Sequence, residues 1–216
     1  MNIVQLETVS LQDAEMLHPG EILCRHTASV LGSEVTIMYA VDAAEHKRRE
    51  RVGLTAIEDE RDLATLLALP MHDLSAVPSR FLDSAAQLAS TREGVVELVT
   101  DPDGDVWGQR LADVPVRIVE IRISASRWAR AIRTAHLWNG YGRRRIVMTT
   151  PLRNEQAAAT EASYYGIGLT IQESLGYRDV VEAADYAPRR FTTSRWLVAE
   201  TVYRQFAHAI RHPRHS

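Results

Sequence analysis

The stretch that decides the fold reads VPVRIVEIRIS, residues 114–124, and alternating helical and apolar segments follow it up to residue 171. Isoleucine and valine dominate the stretch, which predicts a β-strand. Glu120 and Arg122 interrupt the apolar run, and side chains two positions apart on a strand point to the same side. A carboxylate in a strand that is otherwise apolar needs a partner or a function. Glu120 and Arg122 are therefore the first candidate site residues.

The segments after this strand predict helix, strand, helix and strand in turn. Apolar residues at helical spacing predict a helix over 126–138, and the glycines at positions 140 and 142 suit its end. A short apolar run predicts a strand over 146–148, a second helical run covers 154–165, and a strand follows over 166–171. Strands that alternate with helices in this way are typical of an α/β protein.

The segments before it are less regular. The runs at 21–30 and 34–41 predict a β-hairpin, and helices are expected over 43–51, 59–69 and 81–90. Two strands, 95–100 and 105–111, are connected by the turn sequence Asp-Pro-Asp-Gly at 101–104. We expect an N-terminal α+β region, 1–75, to which the sequence assigns no role, and an α/β domain, 76–216, that ends in an amphipathic helix over 194–212.

The composition is that of an ordinary globular protein. The chain has 216 residues, of which 45% are apolar, and this suffices for a sizeable core. No apolar run approaches the roughly 20 residues that a membrane-spanning helix needs. Residues 1–15 are acidic and lack the basic start of a signal peptide, and Cys24 is the single cysteine. We expect a cytoplasmic protein that does not associate with membranes.

The charge is distributed unevenly along the chain. Residues 1–116 carry 20 Asp plus Glu against 9 Lys plus Arg, whereas residues 117–216 carry 8 acidic residues against 16 arginines. Arginine makes planar, bidentate contacts with phosphate, so the second half suits contact with nucleic acid. The alternative is that the acidic and basic halves neutralise each other.

The order of elements from residue 79 to residue 175 resembles the PD-(D/E)XK nuclease superfamily, which includes restriction endonucleases and many repair and defence nucleases. The resembling order is a helix, three strands of which the last carries Glu-x-Arg, and then helix, strand, helix and strand. The literal motif residues are Pro102-Asp103 and Glu120-Ile121-Arg122. The resemblance implies an α/β fold with a restriction-endonuclease-like central mixed sheet flanked by helices, together with an N-terminal α+β extension.

The resemblance also implies a metal site and a reaction. Asp103 and Glu120 would bind Mg²⁺, which prefers oxygen ligands, polarises a phosphoryl oxygen and activates a water. Glu97 is the next choice for the second carboxylate, and Asp105 and Asp113 compete with it, because the turn alone also explains Asp103. The expected activity is Mg²⁺-dependent hydrolysis of phosphodiester bonds in DNA.

Two departures from the superfamily pattern favour an alternative function. The resemblance makes Arg122, which would stabilise the phosphate, a third catalytic residue beside Glu120 and Asp103. Arg122 stands where the superfamily has lysine, however, and arginine cannot act as a base. The helix after the motif lacks the usual glutamine, since residues 133–136 read RTAH. The alternative is a catalytically inactive module that binds nucleic acid, a protein partner or a second copy of itself in a defence or repair complex. In a third interpretation, unrelated to nucleases, Glu120 only pairs with an arginine.

Two groups of arginines are candidates for nucleic-acid contact. One group lies at spacings of three along the helix expected over 126–138 and comprises Arg127, Arg130 and Arg133. The other follows a glycine turn and comprises Arg143, Arg144 and Arg145. Such arginines track a phosphate backbone in some proteins and only face solvent in others.

Overall fold

The computed structural model describes residues 3–5, 17–30, 32–186 and 190–212, the first of these ranges by its backbone only. Most of the acidic N-terminus, residues 1–2 and 6–15, lies outside the described residues. The chain forms two compact units, and each is made of separate stretches of sequence. The first unit comprises residues 1–18, 23–40 and 118–189, and the second comprises residues 19–22, 41–117 and 190–216.

Strands and helices alternate along the second half of the chain. In chain order the strands are β1 Ile3–Gln5, β2 Glu21–Val30, β3 Ser33–Asp42, β4 Ser75–Ala76, β5 Val96–Thr100, β6 Val106–Arg110, β7 Val116–Ala125, β8 Arg143–Met148, β9 Gly168–Glu173 and β10 Gly176–Val181. The helices are α1 Ala43–Val52, α2 Glu60–Ala68, α3 Leu82–Thr91, α4 Trp128–Leu137, α5 Glu155–Tyr164 and α6 Thr193–Arg211. Among the described residues, no helix has the length and apolar character to cross a membrane.

Seven strands form a large mixed sheet in the order β1-β2-β3-β7-β8-β9-β10. β7, β8 and β9 are parallel to one another, whereas the pairs β1–β2 and β9–β10 are antiparallel. Parallel neighbours require a crossover connection, which α4 and α5 supply. α4 buries Ala131, Ile132, Thr134 and Ala135 on one side. The expectation of an α/β protein with a large mixed sheet is thus confirmed.

The two faces of the large sheet differ in chemistry at β7, where Val119 and Glu120 point to opposite sides. Leu23, Met38, Ala40 and Val119 pack together on one face. Because successive side chains on a strand alternate between faces, the neighbours of these residues lie on the other face. That other face carries buried apolar residues such as Ile37 and Val41 on β3, but it carries Glu120 on β7. We call its part over β7 to β10 the polar face.

The second unit contains a small sheet and its own core. The small sheet has the order β4-β6-β5, and both of its pairs are antiparallel. The core is formed by buried residues of α2, α3 and α6 and of the segments between them. Its largest members are Ile57, Leu63, Leu66, Leu88 and Trp196.

A buried group of ions also belongs to the second unit. Arg49 of α1 is fully buried and donates to Glu45 Oε1 at 2.7 Å and to both oxygens of Glu200 at 2.8 Å. It also donates to the carbonyl oxygen of Asp113 at 2.8 Å. Burial disfavours the charged guanidinium, but the hydrogen bonds and charges of Glu200 and Glu45 outweigh burial and raise the pKa of Arg49.

Three features of the sheets differ from the sequence-based expectation. The strands 96–100 and 106–110 pair with β4 in the small sheet, and the neighbour of β7 in the large sheet is β3. β2 and β3, which were expected in an N-terminal extension, are therefore part of the large sheet. β8 begins at Arg143 and not at residue 146, because Glu120 on the adjacent strand β7 pairs with Arg143 and Arg145. β10, whose residues are mostly exposed, carries too little apolar pattern to be predicted.

Candidate functional site

Glu120 and Arg122 lie on the polar face of β7, as their spacing predicts. In the parallel register, Glu120 is opposite Arg143 and Arg122 is opposite Arg145. Residues that are opposite each other on adjacent strands project from the same face. The pairing of β7 with β8 therefore brings one carboxylate and three guanidinium groups together.

The Glu120 carboxylate is surrounded by these guanidinium groups. Arg122 Nε donates to Glu120 Oε1 at 2.5 Å, and Arg145 Nε lies 3.5 Å from Glu120 Oε2. Arg143 Nε lies 3.9 Å from the same Oε2 atom, and this buried nitrogen has no hydrogen-bond partner among the described residues. Only 2% of Glu120 is exposed, so the charge of its carboxylate is balanced inside the protein by arginines.

Three further residues join this group and were not predicted from the sequence. Arg145 Nη1 donates to Thr170 Oγ1 at 3.1 Å and to Asp179 Oδ1 at 2.9 Å, and Thr170 itself donates to Asp179. Arg143 Nη2 donates to Glu182 Oε1 at 3.2 Å. Thr170 and Asp179 are opposite each other on β9 and β10, so only knowledge of the strand register would have identified them.

The other predicted acids belong to the second unit. Glu97 lies on β5, and its Oε2 atom accepts a hydrogen bond from Gln109 Nε2 on the neighbouring strand at 2.6 Å. Asp103 occupies the turn between β5 and β6, where its backbone N–H donates to Asp101 Oδ1 at 3.0 Å. The structure thus gives each of these residues a local partner in the small sheet. Their role as metal ligands stays a prediction.

The carboxylate of Glu120 is the candidate metal ligand in the first unit. Among the described residues, no three His, Cys, Asp or Glu side chains are grouped so that they could hold a metal ion. Independently of this, Mg²⁺ needs free carboxylate oxygens and keeps several waters. Both oxygens of Glu120 face guanidinium groups, which repel a cation. The residues around Glu120 therefore do not fit Mg²⁺ in this arrangement.

The six arginines predicted to contact nucleic acid fall into three environments. Arg143 and Arg145 pair with acids on the polar face. Arg144 points to the α4 side, where it donates to the carbonyl oxygens of Ala135 and Tyr165, and burial lowers its pKa. The remaining three, Arg127, Arg130 and Arg133, lie on or next to α4.

The α4 arginines, Arg127, Arg130 and Arg133, have no acidic partner among the described residues. Arg130 Nη1 donates to the carbonyl oxygen of Gly32 at 3.2 Å, and Arg133 Nε donates to the carbonyl oxygen of Ala129, one turn earlier, at 3.1 Å. Arg127 immediately precedes α4, is exposed, and caps the helix without a side-chain hydrogen bond. These three guanidinium groups keep donors available for an external anion.

Cys24 and Tyr39 are two buried titratable residues that neighbour the apolar cluster in sequence. Burial raises the pKa of the Cys24 thiol to about 12, so the thiol stays protonated at neutral pH. Burial, together with Cys24 nearby, also raises the pKa of Tyr39, whose hydroxyl has no hydrogen-bond partner in the described part of the chain. The structure therefore makes Cys24 a small apolar residue and not a nucleophile.

No protein-family model, curated protein or solved structure matches this chain.

Proposed function

We propose that this protein binds nucleic acid, with DNA as the first candidate, through the α4 arginines and without metal-dependent hydrolysis. The observation that carries the proposal is that Arg127, Arg130 and Arg133 have no acidic partner among the described residues. A guanidinium group that is not neutralised by a carboxylate can give its donors to phosphate oxygens.

The spacing of these arginines suits a phosphate backbone. Residues three apart on a helix are separated by about 4.5 Å along its axis, so the distance from Arg127 to Arg133 is about 9 Å. A strand of B-DNA carries one phosphate per roughly 3.4 Å of helix axis. The α4 arginines therefore span a length that contains two to three phosphates.

The environment of Glu120 supports binding over hydrolysis. Its carboxylate is within 3.9 Å of guanidinium nitrogens of Arg122, Arg143 and Arg145, so its negative charge is already compensated. Arg122 also stays protonated and cannot remove a proton from water. The catalytically inactive alternative that the sequence left open is thus the one that the geometry favours.

The first prediction concerns DNA affinity. In fluorescence anisotropy with labelled single- and double-stranded oligonucleotides, the triple variant R127Q/R130Q/R133Q should bind at least about tenfold more weakly than the wild type, since each lost phosphate contact weakens binding. The control is R51Q/R61Q/R211Q, which makes the same charge change at three exposed arginines and should retain most of the affinity.

Two results would contradict the proposal. One is equal loss of affinity in the two triple variants, since binding would then follow net charge alone. The other is Mg²⁺- or Mn²⁺-dependent cleavage of either oligonucleotide that E120Q abolishes, since the protein would then be the metal-dependent nuclease that the resemblance implied.

A further inference from the structure

A pocket of about 440 Å³ opens where the parallel strands β7 and β8 end. Its walls come from the loop between β7 and α4, the loop between β8 and α5, and the first turns of both helices. The lining residues that matter here are Arg127, Trp128, Leu152, Arg153 and Glu161. The carboxyl ends of parallel strands are where α/β proteins commonly bind small ligands.

Two cationic side chains line this pocket. Arg127 and Arg153 are exposed, and neither has an ion pair or a side-chain hydrogen bond with another described residue. The first turn of α5 adds little to anion binding, because the Asn154 side chain already accepts the hydrogen bond of the Ala157 amide. The positive charge at the pocket therefore comes from the two guanidinium groups.

Besides Ser126, Asn154 and Glu161, the rest of the lining is apolar or aromatic. Leu152, Pro151, Ala157 and Ala158 contribute apolar surface, and Trp128 contributes an indole ring. The indole is fixed in place, because its Nε1 donates to Glu161 Oε2 at 2.6 Å. The second oxygen of the Glu161 carboxylate is left for a hydroxyl or amino group of a ligand.

We propose that this pocket binds a nucleoside phosphate, either free or at the end of a nucleic-acid strand. Arg127 and Arg153 would hold the phosphate, Trp128 would stack on the base, and Glu161 would accept from a ribose hydroxyl or a base amino group. The pocket lies within the range of about 300–1,000 Å³ that is typical of small-molecule sites and is too large for phosphate alone. This site goes beyond the proposed DNA contact and shares only Arg127 with it.

The second prediction is tested by calorimetric titration of the full chain with AMP, adenosine and inorganic phosphate. AMP should bind at least about tenfold more tightly than either of its parts, because only AMP engages the cationic and the aromatic side together. R153Q should weaken AMP binding about tenfold or more, since it removes charge-assisted hydrogen bonds. A157L should weaken AMP binding similarly by filling the pocket with no change of charge.

R133Q is the matched control, since this α4 arginine does not line the pocket. It should bind AMP like the wild type while it loses DNA affinity, so failure of the pocket and failure of the DNA contact give different results. Circular dichroism of each variant verifies folding. The proposal is overturned if AMP does not bind, or if R153Q and A157L, both folded, bind AMP as the wild type does.

A competition experiment distinguishes the two sources of the nucleoside phosphate. If a 5′-phosphorylated oligonucleotide displaces AMP and its 5′-hydroxyl counterpart does not, the ligand is a strand end. If AMP binds and neither oligonucleotide displaces it, the ligand is a free nucleotide. Either result supports the pocket.

Discussion

At the scale of single residues, Glu120 is paired with charged side chains inside the protein and is not exposed to a substrate. Only 2% of the Glu120 residue is exposed, and its carboxylate lies next to guanidinium groups of Arg122, Arg143 and Arg145. Three arginines on adjacent strands would repel one another without an anion between them. The main role of Glu120 is therefore to keep these arginines together on the polar face.

The third prediction follows from this role. Glu120→Gln should lower the free energy of unfolding by about 1–3 kcal/mol, because a neutral amide leaves the arginines uncompensated, while their partial exposure to solvent limits the loss. Urea denaturation monitored by circular dichroism measures the change. Asp179→Asn, at a carboxylate whose side chain is 69% exposed, should cost only about 0–1 kcal/mol. An E120Q protein as stable as the wild type would contradict this account.

The fourth prediction concerns His26, a buried residue of β2 whose Nδ1 atom has no hydrogen-bond partner within the residues that the structure describes. Burial lowers its pKa from the ordinary value of 6.5. The unfolded chain therefore takes up a proton at a higher pH than the folded protein does, so acid favours unfolding. The contribution of neutral His26 to the free energy of unfolding is fully present above pH 6.5. It decreases as the pH falls from 6.5 towards the lowered pKa of His26 in the folded protein.

The His26→Phe variant tests this, since phenylalanine does not titrate and favours strands. Urea denaturation between pH 5 and pH 7.5 measures its free energy of unfolding on both sides of the ordinary histidine pKa of about 6.5. On acidification, the free energy of unfolding of the variant should fall less than that of the wild type. Parallel curves for the two proteins would show that His26 does not contribute to the pH dependence.

At the scale of elements, Arg49 joins α1 to α6 and to the segment before β7. Its guanidinium is fully buried and bonds to Glu45 on its own helix, to Glu200 on α6 and to the carbonyl oxygen of Asp113. Glu200 in turn accepts from the indole Nε1 of Trp196 at 2.9 Å and from the amide of Ile57 at 3.1 Å. Each polar atom of this group has a partner, which is the condition under which buried charges are tolerated.

The fifth prediction is that Arg49→Met lowers the free energy of unfolding by about 3–5 kcal/mol, because it leaves the buried Glu200 carboxylate without its cation, while Glu45 keeps its ion pair with Arg48. Arg51→Met is the control on the same helix. Arg51 is exposed, so its replacement should change stability by no more than about 0.5 kcal/mol. Thermal and urea denaturation of both variants measure the difference, and a similar small effect in both would exclude the buried network as a major contribution.

At the scale of the whole molecule, local sequence pattern was sufficient for most element bounds but not for the sheets. Helical spacing and turn residues predicted α4, α5, α6 and the hairpin of β5 and β6 to within a few residues, because these features depend on near neighbours. Which strands pair depends on packing between distant segments, such as Met38 on β3 with Val119 on β7. No local pattern carries that information.

The residues of the candidate site likewise divide into those that local sequence pattern predicts and those that depend on which strands pair. Strand alternation alone placed Glu120 and Arg122 on one face, and the register of β7 with β8 then added Arg143 and Arg145. Asp179 joins them through a strand with little apolar pattern, so no signal near Glu120 in the sequence indicated it. The pocket between the loops after β7 and β8 was likewise not predicted, since its two free arginines are brought together only by the crossover helices.

The position of β3 beside β7 has a consequence for the protein during its synthesis. β3 ends at Asp42, whereas β7 begins at Val116, so about 70 residues separate two adjacent strands of the sheet. Until the ribosome has released β7, one edge of β3 presents unpaired backbone donors and acceptors to solvent or to chaperones. The large sheet of the nascent chain thus stays open at β3 until β7 has been synthesised, and it is complete only after β8, β9 and β10 have followed.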